Sequence, residues 1–222
     1  MTAASLIREI EAAAYRCWPA KEIEEYDGWQ LRYADGFSRR GNSVYPMDPS
    51  RINLEEKLDR CRDWYVRRGL DLVIRQTPAT ESGLDEALET LGFTAEGVTD
   101  VMIADLKPVT ARKPVITEEP TPGWYRTMAG LWGIGADRID AWRGIVDRIA
   151  LPAAYATVSD LAAGLAVAAD DWLGLFEVIV REEDRRRGIG RDLTQLLLSW
   201  GAANGADMAF LQVVADNRPA TA

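Results

Sequence analysis

The sequence predicts an α/β (α+β) protein made of two related units, each a mixed sheet with flanking helices. Three observations carry that reading. Stretches with helical spacing of apolar residues alternate with short runs rich in β-branched and aromatic residues. The segment KPVTARKPVITEEPTPG holds four prolines and little periodicity, which suits a linker between compact units. The order strand, helix, strand recurs on both sides of that segment. The expected division is a first unit at residues 1–107, a linker at 108–123 and a second unit at 124–222.

In the first half, Leu6, Ile7, Ile10, Ala13 and Ala14 follow helical spacing from about Ala4 to Arg16, and Trp18-Pro19 ends that helix. WQLRYA and NSVYP read as extended segments separated by the turn residues Asp35 and Gly36. NLEEKLDRCRDWYVRRG reads as a helix with Leu54, Leu58, Cys61, Trp64 and Tyr65 on one side and Gly69 as its stop. Strand LDLVIRQT, helix GLDEALETLGF and strand VTDVMIADL complete the half. Beyond the linker, WYRTMAGLWG and ADRIDAWRGIVDRIA read as helices. AYATV, LAVAA and LGLFEVIV read as consecutive strands, GRDLTQLLLSWGAANG as a helix and MAFLQVVAD as a strand.

Composition excludes several functions. A net charge of -9 argues against non-specific nucleic-acid binding, because affinity for a polyanion comes mainly from Lys and Arg. The chain has no histidine, which removes Ser-His-Asp and Cys-His nucleophiles, His-ligated metals and imidazole acid-base chemistry. No metal site is expected. The two cysteines, Cys17 and Cys61, lack a C-x-x-C partner and read as reduced core thiols. No secretory segment opens the chain and no apolar run is long enough to span a membrane, so the expected location is the cytoplasm, away from membranes.

Against that acidic background, REEDRRRGIGRDL places Arg181, Arg185, Arg186, Arg187 and Arg191 around a Gly-x-Gly, between an apolar strand and an apolar helix. A helix beginning near Gly190 would aim unpaired backbone N–H groups at an anion. Gly188 and Gly190 would allow close approach, and the arginines would add charge-assisted contacts. The competing reading is a solvated loop in which the arginines are balanced by Glu182, Glu183 and Asp184. A Walker A loop is excluded because G-K-[ST] is missing, and a dinucleotide fingerprint because Leu193 stands where its third glycine belongs. The corresponding place in the first half, MDPSRI, has no glycine.

The pattern R-x-x-G-x-G at Arg185 to Gly190, after a hydrophobic strand and before an apolar helix, resembles the acyl-CoA motif of the GNAT superfamily of N-acetyltransferases. LQVVADNRPA, Leu211 to Ala220, resembles that superfamily's next strand and the Asn-x-x-Ala opening of its following helix. The first half resembles the degenerate N-terminal unit of tandem, two-unit members. The resemblance implies that backbone groups of Val178, Ile179 and Val180 hold a pantetheine arm. It implies that Arg185, Arg186, Arg187, Gly188, Ile189, Gly190 and Arg191 surround a pyrophosphate, with Asn217 near the cosubstrate. The implied reaction is direct acetyl transfer from acetyl-CoA to a primary amine of a small molecule or peptide. The candidate base is Glu177, whose pKa burial would raise; a relay of the proton through water to Asp170 or Asp171 is the alternative. Trp124, Trp132 and Trp142 read either as core aromatics or as a wall for the acceptor.

Family members usually continue to a Leu-Tyr in which Tyr serves as the general acid, and this sequence ends before that position. The second unit is therefore expected to be truncated, lacking its last helix and strands and leaving strand AFLQVVAD open on one edge. Completion of the sheet by another chain, a homodimer, is the other expectation. The rival functional reading is a catalytically silent acyl-CoA-binding sensor or assembly module.

Overall fold

The computed structural model describes residues 2–106 and 115–215. Two compact units divide the chain. The first comprises 1–11 and 18–96, the second 12–17 and 97–222.

The first unit contains most of helix α1 (Ala3–Cys17), strands β1 (Glu22–Tyr26), β2 (Trp29–Tyr33) and β3 (Val44–Pro46), and helices α2 (Leu54–Val66) and α3 (Leu84–Thr90). β1, β2 and β3 form an antiparallel meander. The expected strand LDLVIRQT is reduced to a single parallel bridge between Val44 and Ile74. β1 was not foreseen, because EIEEY carries three carboxylates and lies on the exposed edge of the sheet. α2 starts at Asn53, whose side chain accepts from the Glu56 N–H at 3.1 Å, and its apolar face buries Leu58, Cys61 and Tyr65 against Trp29, Leu31 and Val44.

A fully buried lysine joins the meander to α2. Lys57 Nζ donates to Asp27 O at 2.6 Å and Asp27 Oδ2 at 3.0 Å, and lies 4.1 Å from the centre of the Trp29 ring. The Asp27 carboxylate also accepts from the Arg51 N–H at 2.9 Å. That backbone bond, followed by the bond from Lys57, holds the Asp27 carboxyl at about 2, below its ordinary 3.8. A depressed acid stabilises the fold above its unfolded value and loses the contribution as pH falls through its folded value. Part of the melting-temperature loss between about pH 4 and pH 2 is therefore expected to vanish in Asp27→Asn, which should also melt lower at pH 7; thermal melts across that range check both.

Among the described residues, the second unit holds a six-stranded sheet of order β4-β9-β8-β7-β6-β5. Its strands are β4 (Thr99–Asp105), β5 (Val115–Thr117), β6 (Ala153–Val158), β7 (Ala162–Ala169), β8 (Trp172–Val180) and β9 (Met208–Val214). Helices α4 (Pro122–Trp132), α5 (Ile139–Asp147) and α6 (Ile189–Ala203) complete it. β6, β7 and β8 are an antiparallel meander, and after α6 the chain returns as β9 parallel to β8. Meander, helix and parallel return is the same sequence of elements as in the first unit. The expected repeat is thus visible in the topology.

Three expectations change here. β4, assigned by sequence to the first unit, pairs with β9 over seven residues, from Thr99↔Val214 to Asp105↔Met208. The edge of β9 that was expected to be open is therefore covered. The segment expected to be a linker also contains β5, which pairs with β6, and α4 begins inside its last residues. Val115 and Ile116 had no visible period because three residues are too few to show one.

α6 lies on one face of this sheet. Leu193 and Leu197 pack with Ala154, Ala156, Ala162, Ala166, Leu173 and Leu175. Alanines dominate the strands here, so the helix sits close to the sheet. At Gly164 a Cβ would lie 3.0 Å from Leu197 Cδ1. The alternate residues face the other way, where Trp124 and Trp142 stack at 5.7 Å and Tyr155 meets Trp124 edge-on at 5.0 Å.

Candidate active site

The site is built where β8 stops being an ordinary strand. Its parallel pairing with β9 covers only Trp172 to Leu175, and from Phe176 onward the described ladder pairs β8 with β7 alone. The two central parallel strands therefore part after Leu175. The divergence coincides with a β-bulge. Ala163 pairs with Ile179 and Leu165 with Phe176, so Gly164 faces two residues, Glu177 and Val178. Glu177 takes the positive φ of 54° that accommodates the extra residue.

The bulge has a readable consequence for side chains. Before it, odd-numbered Leu173 and Leu175 face α6; after it, even-numbered Val178 and Val180 do. A regular strand would have pointed Glu177 into the apolar layer beneath α6 and turned Val178 away. The bulge keeps the carboxylate out of that layer and leaves it half-buried. A non-glycine residue held in the left-handed region costs on the order of 1 kcal/mol, and such positions concentrate at functional sites.

Beyond Val180 the chain makes a short turn and enters α6. Gly188 is the N-cap, with φ 83° and no side-chain cap, and the first recorded bond into the helix is Asp192 N–H to Gly188 O at 3.0 Å. The N–H groups of Ile189, Gly190 and Arg191 therefore precede the helical ladder and point out of its end. Arg186 has φ 62°, so positive φ values alternate along the loop at Arg186 and Gly188, as in a concave run of backbone amides. Gly190 packs closely on the end of β8: a Cβ there would lie 3.2 Å from Val180 Cγ2.

The arginines divide into two groups. Arg181 pairs with Asp160, and Arg187 with the buried Asp184, so part of the balancing of charge within the loop is real. Arg185, Arg186 and Arg191 are exposed; Arg185 Nε donates to Val180 O at 3.3 Å, and Arg191 Nε lies 3.9 Å from Asp192. Glu177, Val178, Ile179 and Val180 share the parted end of β8, and Arg185 to Arg191 follow directly on it. Asn217 lies outside the described residues.

The other candidates fall elsewhere. Asp170 sits in the β7–β8 turn and pairs with Arg16, which holds its carboxyl below the ordinary range. Six residue steps of strand, roughly 20 Å, separate Asp171 from Glu177, too far for a proton to pass between them directly or across a single water. Trp124 and Trp142 are core aromatics, and Trp132 is exposed. Cys17 and Cys61 are buried; burial pushes their thiols up to about 12 and about 11, so neither supplies thiolate at neutral pH. Sequence reasoning missed the bulge and Gly164. A charged residue in an otherwise apolar nine-residue strand was the signal that could have found them.

A meander, a bulged and parted central strand pair and an uncapped glycine-led helix make up the fold of the GNAT-type acetyltransferases. Solved structures agree in fold. A GCN5-related N-acetyltransferase from Kribbella flavida superposes with a TM-score of 0.67 at 13% identity, covering 92% of this chain and 84% of that one. A tandem GNAT protein from the clavulanic acid biosynthesis pathway gives 0.65 at 13% identity, over 96% and 81%. The chain belongs to the family described as "Probable histone acetyltransferase Rv0428c C-terminal", whose model matches residues 4–222. An "Uncharacterized N-acetyltransferase YobR" of Bacillus subtilis is 28% identical over 225 residues, covering 95% of this chain and 89% of that protein. No helix among the described residues is long and apolar enough to cross a membrane.

Proposed function

We propose that the protein transfers an acetyl group from acetyl-CoA to a primary amine of a small molecule or peptide, by direct attack without a covalent enzyme intermediate. The observation that carries this reading is the parting of β8 from β9 at the bulge, immediately followed by the amide-rich start of α6. Backbone groups of Val178, Ile179 and Val180 would bind an extended pantetheine amide chain as a further strand does. The N–H groups of Ile189, Gly190 and Arg191 would hold pyrophosphate oxygens, with Arg185 and Arg186 supplying charge. Acetyl-CoA brings the activated thioester. The protein's part is to orient it, exclude water and remove the proton from the attacking amine. Glu177, on the bulge at the mouth of the parted strands, would take that last task as general base, through direct or water-mediated contact with the amine.

Calorimetric titration with acetyl-CoA and with dephospho-CoA tests the cosubstrate, and release of free CoA thiol against a panel of amines tests the reaction. Micromolar acetyl-CoA binding with weaker dephospho-CoA binding is the expected result. It assigns some of the loop arginines to the 3′-phosphate. Tight binding without turnover of any amine would favour an acyl-CoA-binding module instead, and absence of binding would overturn the cosubstrate assignment.

A further inference from the structure

β8 is apolar on both faces apart from Glu177, so no alternation of apolar and polar residues along the strand fixes where the extra residue falls. We propose that Trp124 is the determinant, a positioning residue that holds β8 in its bulged register through a single indole hydrogen bond. Trp124 Nε1 donates to Gly164 O at 3.2 Å, in the buried interior of the second unit. Gly164 is the one residue of β7 that faces two residues of β8. The bond therefore falls on the carbonyl at which the ladder changes step.

Three features fix the donor. The Trp124 backbone N–H is capped by Thr121 Oγ1 at 3.1 Å, which sets the first turn of α4. The indole is 2% exposed, stacked on Trp142 and edge-on to Tyr155. It approaches Gly164 from the face opposite α6, since Tyr155 alternates with Ala154 and Ala156 of the α6 layer. On the α6 side, the missing Cβ of Gly164 leaves room for Leu197, Leu193 and Val178. Gly164 is thus held from both faces. If the ladder slipped by one residue, Glu177 would enter the α6 layer and the groups proposed to bind pantetheine would turn away. Trp124 touches no reacting atom and acts on β8 through Gly164 of β7.

This inference rests in part on the acyl-CoA reading, so its test has one arm that does not. Trp124→Phe removes the N–H and keeps an aromatic ring in the stack while giving up part of its area. Hydrogen exchange of the ligand-free protein is expected to accelerate at residues 176–179 by roughly 3- to 10-fold, the size of one hydrogen bond, with the rest of β7 and α6 unchanged. Acetyl-CoA affinity should weaken by a similar factor while KM for the amine stays constant. Uniform acceleration across the sheet, or none at 176–179, would overturn the assignment by showing a packing role only. Failure of the wild type to bind acetyl-CoA would instead sink the cosubstrate reading and leave the exchange arm to judge Trp124. If Trp124→Phe does not fold, benzothienylalanine at position 124, isosteric with Trp but lacking the N–H, serves in its place under the same criteria.

Discussion

Gly190→Val is expected to weaken acetyl-CoA binding by roughly 10- to 100-fold, the loss of one or two hydrogen bonds to a charged group. The cause is packing. A Cβ at position 190 would lie 3.2 Å from Val180 Cγ2, a contact that Val180 can relieve by a few tenths of an ångström, whereas the branched side chain of Val needs more room than that and is expected to push the start of α6 from the strand. The amides of Ile189, Gly190 and Arg191 move with it. Gly190→Ala is the control, because Ala gains up to about 1 kcal/mol of helix propensity that offsets the tighter contact. The Ala variant should therefore melt near the wild type and bind with an intermediate affinity. Isothermal titration of both variants, beside their thermal melts, decides the matter: wild-type affinity in folded Gly190→Val would remove the loop from the cosubstrate site.

Much of this was legible in the sequence, for reasons that can be named. The α6 loop could be read because glycine, arginine and an apolar helix start each impose a separate physical requirement, and all three coincide between Arg185 and Leu193. The meander of the second unit could be read because AYATV, LAVAA and LGLFEVIV are separated by turn residues. The membership of β4 could not. TDVMIAD satisfies any neighbouring sheet equally well, and its pairing with β9, over a hundred residues away, is a long-range choice with no local signature. The bulge was hidden for a related reason: every residue near it except Glu177 is apolar, so no alternation marked the change of step. The division of arginines into paired and exposed sets depends on Asp160 and Asp184 lying within reach in space.

Trp142→Ala is expected to cost about 3–5 kcal/mol of stability, the range for deleting a large buried aromatic. Trp142 is fully buried, stacked on Trp124 and 5.4 Å from Tyr125, so its removal leaves a void that the α4–α5 layer must line. Trp142→Phe should behave very differently. Among the described residues Trp142 Nε1 has no hydrogen-bond acceptor. A buried donor left without a partner costs on the order of 1–3 kcal/mol, which Phe recovers while giving up part of the stacked area. The two effects oppose one another, and the Phe variant is expected to lie within about 1 kcal/mol of wild type. Urea unfolding followed by circular dichroism measures both. Equal losses in the two variants would mean that the indole N–H has a partner, such as a buried water, and that this layer is held by a polar contact as well as by aromatic packing. The distinction bears on the site, because Trp142 is the surface on which Trp124 stacks. If Trp142→Phe keeps both stability and acetyl-CoA affinity while Trp124→Phe loses affinity, the hydrogen bond to Gly164, and not the aromatic stack, is what holds β8 in its bulged register.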